Sequence, residues 1–158
     1  MLFLVLLLAS SAWLQNAAPP QPPIAGTWRL NPENSNVRVP SDYVEIRQYN
    51  LRPDGYLVGL LITGTPGGGY HYLQFVAKSD GKDYPEYSDQ IVGDLIAAGR
   101  VTPRTYAETK IDDSTTDWTD KVDGRVTGHG KKIVSPDRKT LTITVDGAPS
   151  RVRIYDRQ

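Results

Sequence analysis

Arg153 and Tyr155 stand two residues apart near the end of the chain, within Arg151-Val152-Arg153-Ile154-Tyr155. On a strand, residues i and i+2 point to the same side. A guanidinium fork and a phenol on one side can hold a single carboxylate between them. That chemistry requires Arg153 to face an interior. With Val152 and Ile154 inward instead, Arg153 is solvated or lies over an aromatic ring. His71 is a second capable group. It sits between Tyr70 and Tyr72 on the face shared with Leu73 and Phe75, which reads as core and predicts a hydrogen-bonded, partly buried imidazole. The nine tyrosines fit either strand propensity with a polar tip that reaches water or an aromatic-lined cavity for an amphipathic molecule. The cavity reading makes Tyr72 and His71 ligand contacts beside Arg153 and Tyr155.

Other chemistries find little support. His129 lies in Gly128-His129-Gly130, where the glycines permit a bulge or the close approach of a ligand, or simply flank an exposed side chain. With two histidines and no HxH, HxxxH or HExxH spacing, no metal site is expected. Asp112, Asp113, Asp117, Asp120 and Asp123 read as turn and edge residues; they do not form a calcium loop. Asp117 and Asp120 fall on opposite faces of a strand, which weakens a paired-carboxylate hydrolase. Gly-x-Ser-x-Gly is absent, and Gly64 to Gly69 lacks the Lys-Ser/Thr of a phosphate loop. The expectation is a non-enzyme, with no catalytic residue and no cofactor.

The elements that carry these residues follow from composition and punctuation. The chain has 18 basic and 18 acidic residues, which argues against a nucleic-acid partner. Its 39% hydrophobic share is inflated by the first eighteen residues. Without them the apolar share is roughly a third, lean for a helical bundle. Met1 to Leu8 reads MLFLVLLL, uncharged and followed by Ser10, Ser11 and Ala12, so residues 1–18 are expected to be a secretory signal peptide cut after Ala12 or near Ala17 or Ala18. Secretion or a periplasmic location follows, with no lasting membrane insertion after cleavage. Residues 19–23, with four prolines, read as a semi-rigid spacer. Cysteine is absent, so packing and hydrogen bonds alone must stabilise the fold.

Residues 24–158 form one domain in this reading. Pro53-Asp54-Gly55, Asp80-Gly81, Asp123-Gly124 and Asp146-Gly147 mark turns. Between turns the apolar period is two, as in Leu141, Ile143 and Val145 against Thr140, Thr142 and Thr144. Strands are predicted near 24–30, 43–50, 56–63, 70–78, 105–111, 116–122, 125–135, 140–146 and 151–156. Such a meander closes on itself to remove its edges. The fold class is therefore all-β: an antiparallel up-and-down barrel of about 8–10 strands. One short helix is expected near 89–98, from the caps and spacing of Ser88 to Gly99, as a plug under the barrel or a lid over its mouth.

Gly26-Thr27-Trp28 resembles the opening strand of the lipocalin and fatty-acid-binding-protein barrels. Gly26 to Pro32, Asp80 to Pro85, Ser135 to Thr142 and Ile154 to Gln158 together resemble a family of small secreted bacterial lipocalin-like proteins. That family has no assigned activity, and the resemblance spans most of residues 24–158. The stretch from Glu86 to Arg104 is longer than in that family. The Arg153-Ile154-Tyr155 ending is similar to the Arg-x-Tyr of intracellular fatty-acid-binding proteins, which implies that the pair holds a ligand carboxylate. Physically, Gly26 lets another group approach, Trp28 seals the barrel floor, and an arginine on the paired last strand can cover the indole. Arg151 and Arg153 are the candidates for that cover, with Gly26, Trp28 and Arg151 taken as the closure set.

The expected function is non-catalytic binding of a small hydrophobic or amphipathic ligand in the barrel. The alternative is a protein-binding or inhibitory module that acts through surface loops with a filled barrel. A hollow of several hundred Å³ favours the first. Nothing in the sequence marks an oligomeric state.

Overall fold

A computed structural model of the protein describes residues 20–89, 104–147 and 151–158. Those residues form ten strands: β1 (Gly26–Leu30), β2 (Val44–Leu51), β3 (Leu57–Thr65), β4 (Gly69–Ala77), β5 (Tyr84–Ser88), β6 (Arg104–Lys110), β7 (Thr115–Val122), β8 (Arg125–Val134), β9 (Thr140–Val145) and β10 (Arg151–Arg157). Each pairs antiparallel with its chain neighbours, and β1 pairs with β10 to close the barrel. The all-β expectation holds. The signal peptide, and the helix expected near 89–98 beyond Asp89, lie outside the described residues.

The tenth strand, β5, was not expected. Its sequence is Tyr-Pro-Glu-Tyr-Ser, and a proline without an N–H demotes a short run as a strand. Here Pro85 stands opposite Thr105, next to the pair Tyr84 and Tyr106. The β5–β6 seam is narrow, and a proline costs such a seam little.

Alternation builds the walls. On β9, Leu141 and Ile143 are buried while Thr140 and Thr142 are partly exposed. Directly opposed residues share a side, so registers propagate this choice around the ring. One inward row runs Tyr49, Gly59, Phe75 and Glu86 across β2 to β5. Another runs Arg153, Ile143, Lys132 and Thr116 across β10 back to β7. The inward face of the last strand is therefore the one that carries Arg151, Arg153 and Tyr155. Gly59 is needed in the first row because the Phe75 ring lies across it, where a Cβ would collide. That position lets Phe75 stack on Tyr106, with centroids 3.9 Å apart.

Closure at β1 uses Trp28, which is fully buried and donates from its indole N–H to the Ile24 carbonyl at 2.7 Å. The cation over the indole is Arg157, 4.1 Å from the ring centroid, which corrects the expectation of Arg151 or Arg153. The register explains it: Trp28 stands directly opposite Arg157, whereas Arg151 pairs with Val145 at the far end of the strand. Gly26 has φ of +131°, and a Cβ there would lie 2.5 Å from the Arg157 guanidinium. The glycine thus makes room for the arginine that covers the tryptophan.

Pro20 to Pro23 are not a detached spacer. Gln21 exchanges two 3.0 Å hydrogen bonds with the backbone of Leu51, and Arg157 donates to the Pro23 carbonyl at 2.5 Å. The segment straps the closed end. At the opposite end, β1 is shorter than β10, and the chain after β1 completes the pairing: Asn36 N–H donates to Val152 O at 3.0 Å, and Ile154 N–H to Ser35 Oγ at 2.8 Å.

Candidate functional site

Three ionic groups are built on the inward faces. The first surrounds Glu45, which is 2% exposed. Its Oε1 accepts from the Tyr155 hydroxyl at 2.5 Å and from Arg47 Nη2 at 3.2 Å. Its Oε2 accepts from the Tyr43 hydroxyl at 3.0 Å and lies 3.4 Å from Arg153 Nε. Arg47 Nε also donates to the Tyr155 oxygen at 2.8 Å. Burial pushes the Glu45 carboxyl up, but Arg47, the Tyr155 hydroxyl, Arg153 and Tyr43 outweigh it and hold the group below its ordinary value. Burial, then the Glu45 charge, pushes the Tyr43 phenol up to about 12.

The second group lies deeper, on β6 and β8. Lys132, 3% exposed, donates to Glu108 Oε2 at 2.7 Å and to the Tyr106 hydroxyl. Tyr106 in turn donates to Glu108 at 2.5 Å, and Ser79 to its other oxygen at 2.8 Å. The ammonium is within 5.2 Å of the Tyr49, Phe75 and Tyr106 ring centroids. Burial is again outweighed, chiefly by Lys132, so Glu108 is held low. A lysine this deep is tolerable only because carboxylate, phenol and ring faces replace its water.

The third is less settled. Arg104 reaches Glu86 Oε2 from Nε at 3.0 Å and from Nη2 at 2.8 Å. Burial and the neighbouring Asp120 charge nevertheless raise Glu86 to about 7. Burial also raises Asp120. Asp120 stands opposite Gly128, where the β7–β8 register shifts, a kind of irregularity that re-aims side chains. Its carboxylate accepts no hydrogen bond among the described residues.

Between these groups is a cavity of about 210 Å³. Leu61, Leu73, Trp118, Ile143 and Val145 form its apolar wall; Glu86 and Asp120 on one hand and Arg47, Lys132, Arg151 and Arg153 on the other add charge. At roughly 30 Å³ per water this is about seven water volumes, below the 300–1,000 Å³ of drug-sized sites. The barrel is neither filled nor several hundred Å³ hollow. A larger recess of about 480 Å³ lies at the closed end, between Pro20–Ile24 and the turn after β6. Much of its charged lining is paired, with Lys110 2.6 Å from Asp113 and Glu108 held as above, so the lumen is the better candidate.

The expected site residues separate. Arg153 and Arg151 border the cavity. Tyr155 is fully buried and committed to Glu45, so its phenol does not line it. Tyr72 is corrected: it is 48% exposed, opposite Ile62, and alternation turns it away from Leu73 and the lumen. His71 is corrected in burial: it shares the inward side with Leu73 and Phe75 but stands on the open rim, its side chain 45% exposed and Nδ1 2.9 Å from Asp89. His129 is a surface residue 3.1 Å from Asp146. Sequence reasoning missed Glu45, Arg47, Glu86, Arg104, Glu108 and Lys132, and placed Asp120 with the turns. The signal was present in β2, where Glu45, Arg47 and Tyr49 alternate with Val44 and Ile46. Ordinary patterning sends the apolar set inward; here the polar set faces in.

No protein-family model matches the chain, and no curated protein matches it. Among solved structures, the barrel is similar to a Schistosoma mansoni fatty acid binding protein in complex with arachidonic acid, with a TM-score of 0.54, covering 86% of this chain and 96% of that chain. Identity is 12%, so the likeness is one of fold. The protein is a closed ten-stranded antiparallel barrel whose fold is similar to that of this fatty acid binding protein.

Proposed function

We propose that the protein binds a small amphipathic molecule in its lumen and performs no chemistry on it. The observation that carries this reading is the cavity of about 210 Å³, walled partly by aliphatic side chains and partly by charged groups, among them Arg153, whose buried Nε has no hydrogen-bond partner. Fully satisfied groups, as at Glu45 and Glu108, support structure. Unsatisfied ones beside an apolar wall suit a ligand with a polar end. Both histidines stand at the surface, each about half exposed, and no nucleophile with an adjacent base gathers in the lumen among the described residues. A filled module acting through loops accounts less well for charged groups turned toward a cavity.

The apolar, uncharged residues 1–18 support export, and the motif runs from Gly26 to Gln158 support kinship with small secreted bacterial lipocalin-like proteins. The protein is thus read as a secreted or periplasmic carrier or scavenger. Native mass spectrometry of protein purified from its own host tests the binding. A co-purifying small molecule that is lost from the Leu73→Trp variant, whose ring would occupy the cavity, is the expected result. A clean apo mass with no response of Trp118 fluorescence to any small-molecule probe would overturn it.

A further inference from the structure

Tyr70, Tyr72 and Tyr87 are 52%, 48% and 61% exposed, the most exposed tyrosines among the described residues. All three point outward, from β4 and β5. Registers carry that outer face across to β2. One row runs Ile46, Ile62 and Tyr72, and the next runs Gln48, Leu60, Gln74 and Tyr87. The outward positions of these four strands hold no charged residue. Across the ring, the outer face of β7 and β8 is charged, with Lys131 2.6 Å from Asp117. Where the neutral face meets β1 there is an open recess of about 670 Å³. Its lining includes Thr27, Gln48, Asn50 and Gln74, and no charged side chain. The amides of Asn50 and Gln74 and the three phenols make no hydrogen bond among the described residues. Gln48 makes only a 3.5 Å contact with Thr27 Oγ1.

We propose that this outer face binds a neutral oligosaccharide, with its pyranose rings on the tyrosines and its hydroxyls on the amides of Gln48, Asn50 and Gln74. The site is separate from the lumen and does not depend on a ligand there. A tyrosine ring is negative on its face, which attracts the polarised C–H groups on the flat side of a pyranose. A side-chain amide sets a carbonyl acceptor beside an N–H donor, a match for two adjacent sugar hydroxyls. The row from Gln48 to Tyr87 crosses three strand spacings, ~14 Å, the reach of a short saccharide. An anionic polymer finds no cation on these strands. A second copy of the chain fits less well. Two convex barrel walls touch along a narrow strip, short of the ~800 Å² per partner of a stable dimer. Such a contact would also bury amides and phenols without partners, whereas a hydroxyl-rich chain pairs them.

The test is calorimetric titration of the protein with cellohexaose, chitohexaose and maltohexaose, with polygalacturonate as the charged comparison. At least one neutral hexasaccharide is expected to bind. Its affinity should change less than twofold between about 0.05 and about 0.5 M NaCl, because no ion pair forms. Tyr72→Ala, Tyr87→Ala and Gln74→Ala should each weaken that binding about tenfold or more. None should shift the unfolding midpoint, since all three side chains are exposed. Leu73→Trp, which fills the lumen, should leave saccharide binding unchanged, so failure of the lumen reading and failure of this one are distinguishable. Binding that survives the three substitutions, or that favours polygalacturonate, overturns the proposal, as does no binding of any neutral probe. Sedimentation of the same samples provides the remaining check: a dimer dissociated by Tyr72→Ala would make this face a contact between copies and overturn the saccharide.

Discussion

The Tyr155 hydroxyl donates to Glu45 Oε1 at 2.5 Å while accepting from Arg47 Nε at 2.8 Å. With Arg153 on the other carboxylate oxygen, the arginine and tyrosine of the last strand do converge on a carboxylate. It is the protein's own. The chemistry anticipated for a ligand has been turned to holding β10 against β2 across β1.

Tyr155→Phe removes one donor and one acceptor from this buried group and should destabilise by about 1–3 kcal/mol. Glu45→Ala leaves Arg47 and Arg153 facing each other without their carboxylate and should cost more, about 3–5 kcal/mol. Urea denaturation checks both. A Glu45→Ala loss smaller than that of Tyr155→Phe would contradict the assignment.

At the closed end, Arg157 covers Trp28 and donates to the carbonyls of Ala25, Pro23 and Arg138. Arg157→Ala should cost about 1–3 kcal/mol. Arg157→Lys should recover only a small part, since an ammonium cannot make the same fan of bonds. Arg151→Ala should leave the unfolding midpoint nearly unchanged, because closure does not involve it.

The lumen sets a pH dependence with two limbs. Glu86 is raised from 4.5 to about 7 in the folded state, so the native protein holds a proton there that the unfolded chain has lost. Its stabilising contribution is complete below pH 4.5 and disappears as pH rises through 7, a fall of about 3 kcal/mol. Glu45 and Glu108 are held low, so their contribution is present above the ordinary glutamate value and is lost as pH falls through their folded values. Stability measured by urea midpoints should therefore peak between these limbs. Glu86→Gln should flatten the neutral limb and leave the acid limb in place.

Asp120 sharpens the same point. Its charge helps to raise Glu86, so Asp120→Asn should move the Glu86 midpoint down from about 7, as read by carbon NMR of the side-chain carboxyl. The variant should be no less stable than wild type at pH 7, since it removes a repulsion and no hydrogen bond. An unmoved midpoint would mean that burial alone sets it.

At the strap, Gln21→Ala removes both bonds to the Leu51 backbone. Amide exchange at Leu51 should quicken about tenfold, with the barrel's global stability little altered. No change at Leu51 would show that the segment is held by its prolines and Arg157 instead.

How much could be read from the chain depended on which physical signal carried it. Turn residues and two-residue periodicity gave nine of the strands and the closure, and Gly26-x-Trp28 marked the floor because its chemistry is local. β5 escaped because Pro85 looks like a strand breaker unless its seam is known to be narrow. The lumen escaped for a deeper reason. Glu45, Glu108 and Lys132 face inward because they satisfy one another, and partners from different strands are joined only by register. His71 shows the same limit: alternation gives its side, but not that it stands above the last buried ring.

The strap of Gln21 against Leu51, with Gln158 N–H bonded to Thr27 O, gives the barrel a polarity of attachment. Pro20 and Gln158 both leave from the closed end, while Arg151 stands at the other. Anything fused or tethered at either of these residues hangs from the base, on the side of the barrel away from Arg151. An anchored copy would hold the Arg151 end of the barrel away from the anchoring surface, as a cup stands on its foot.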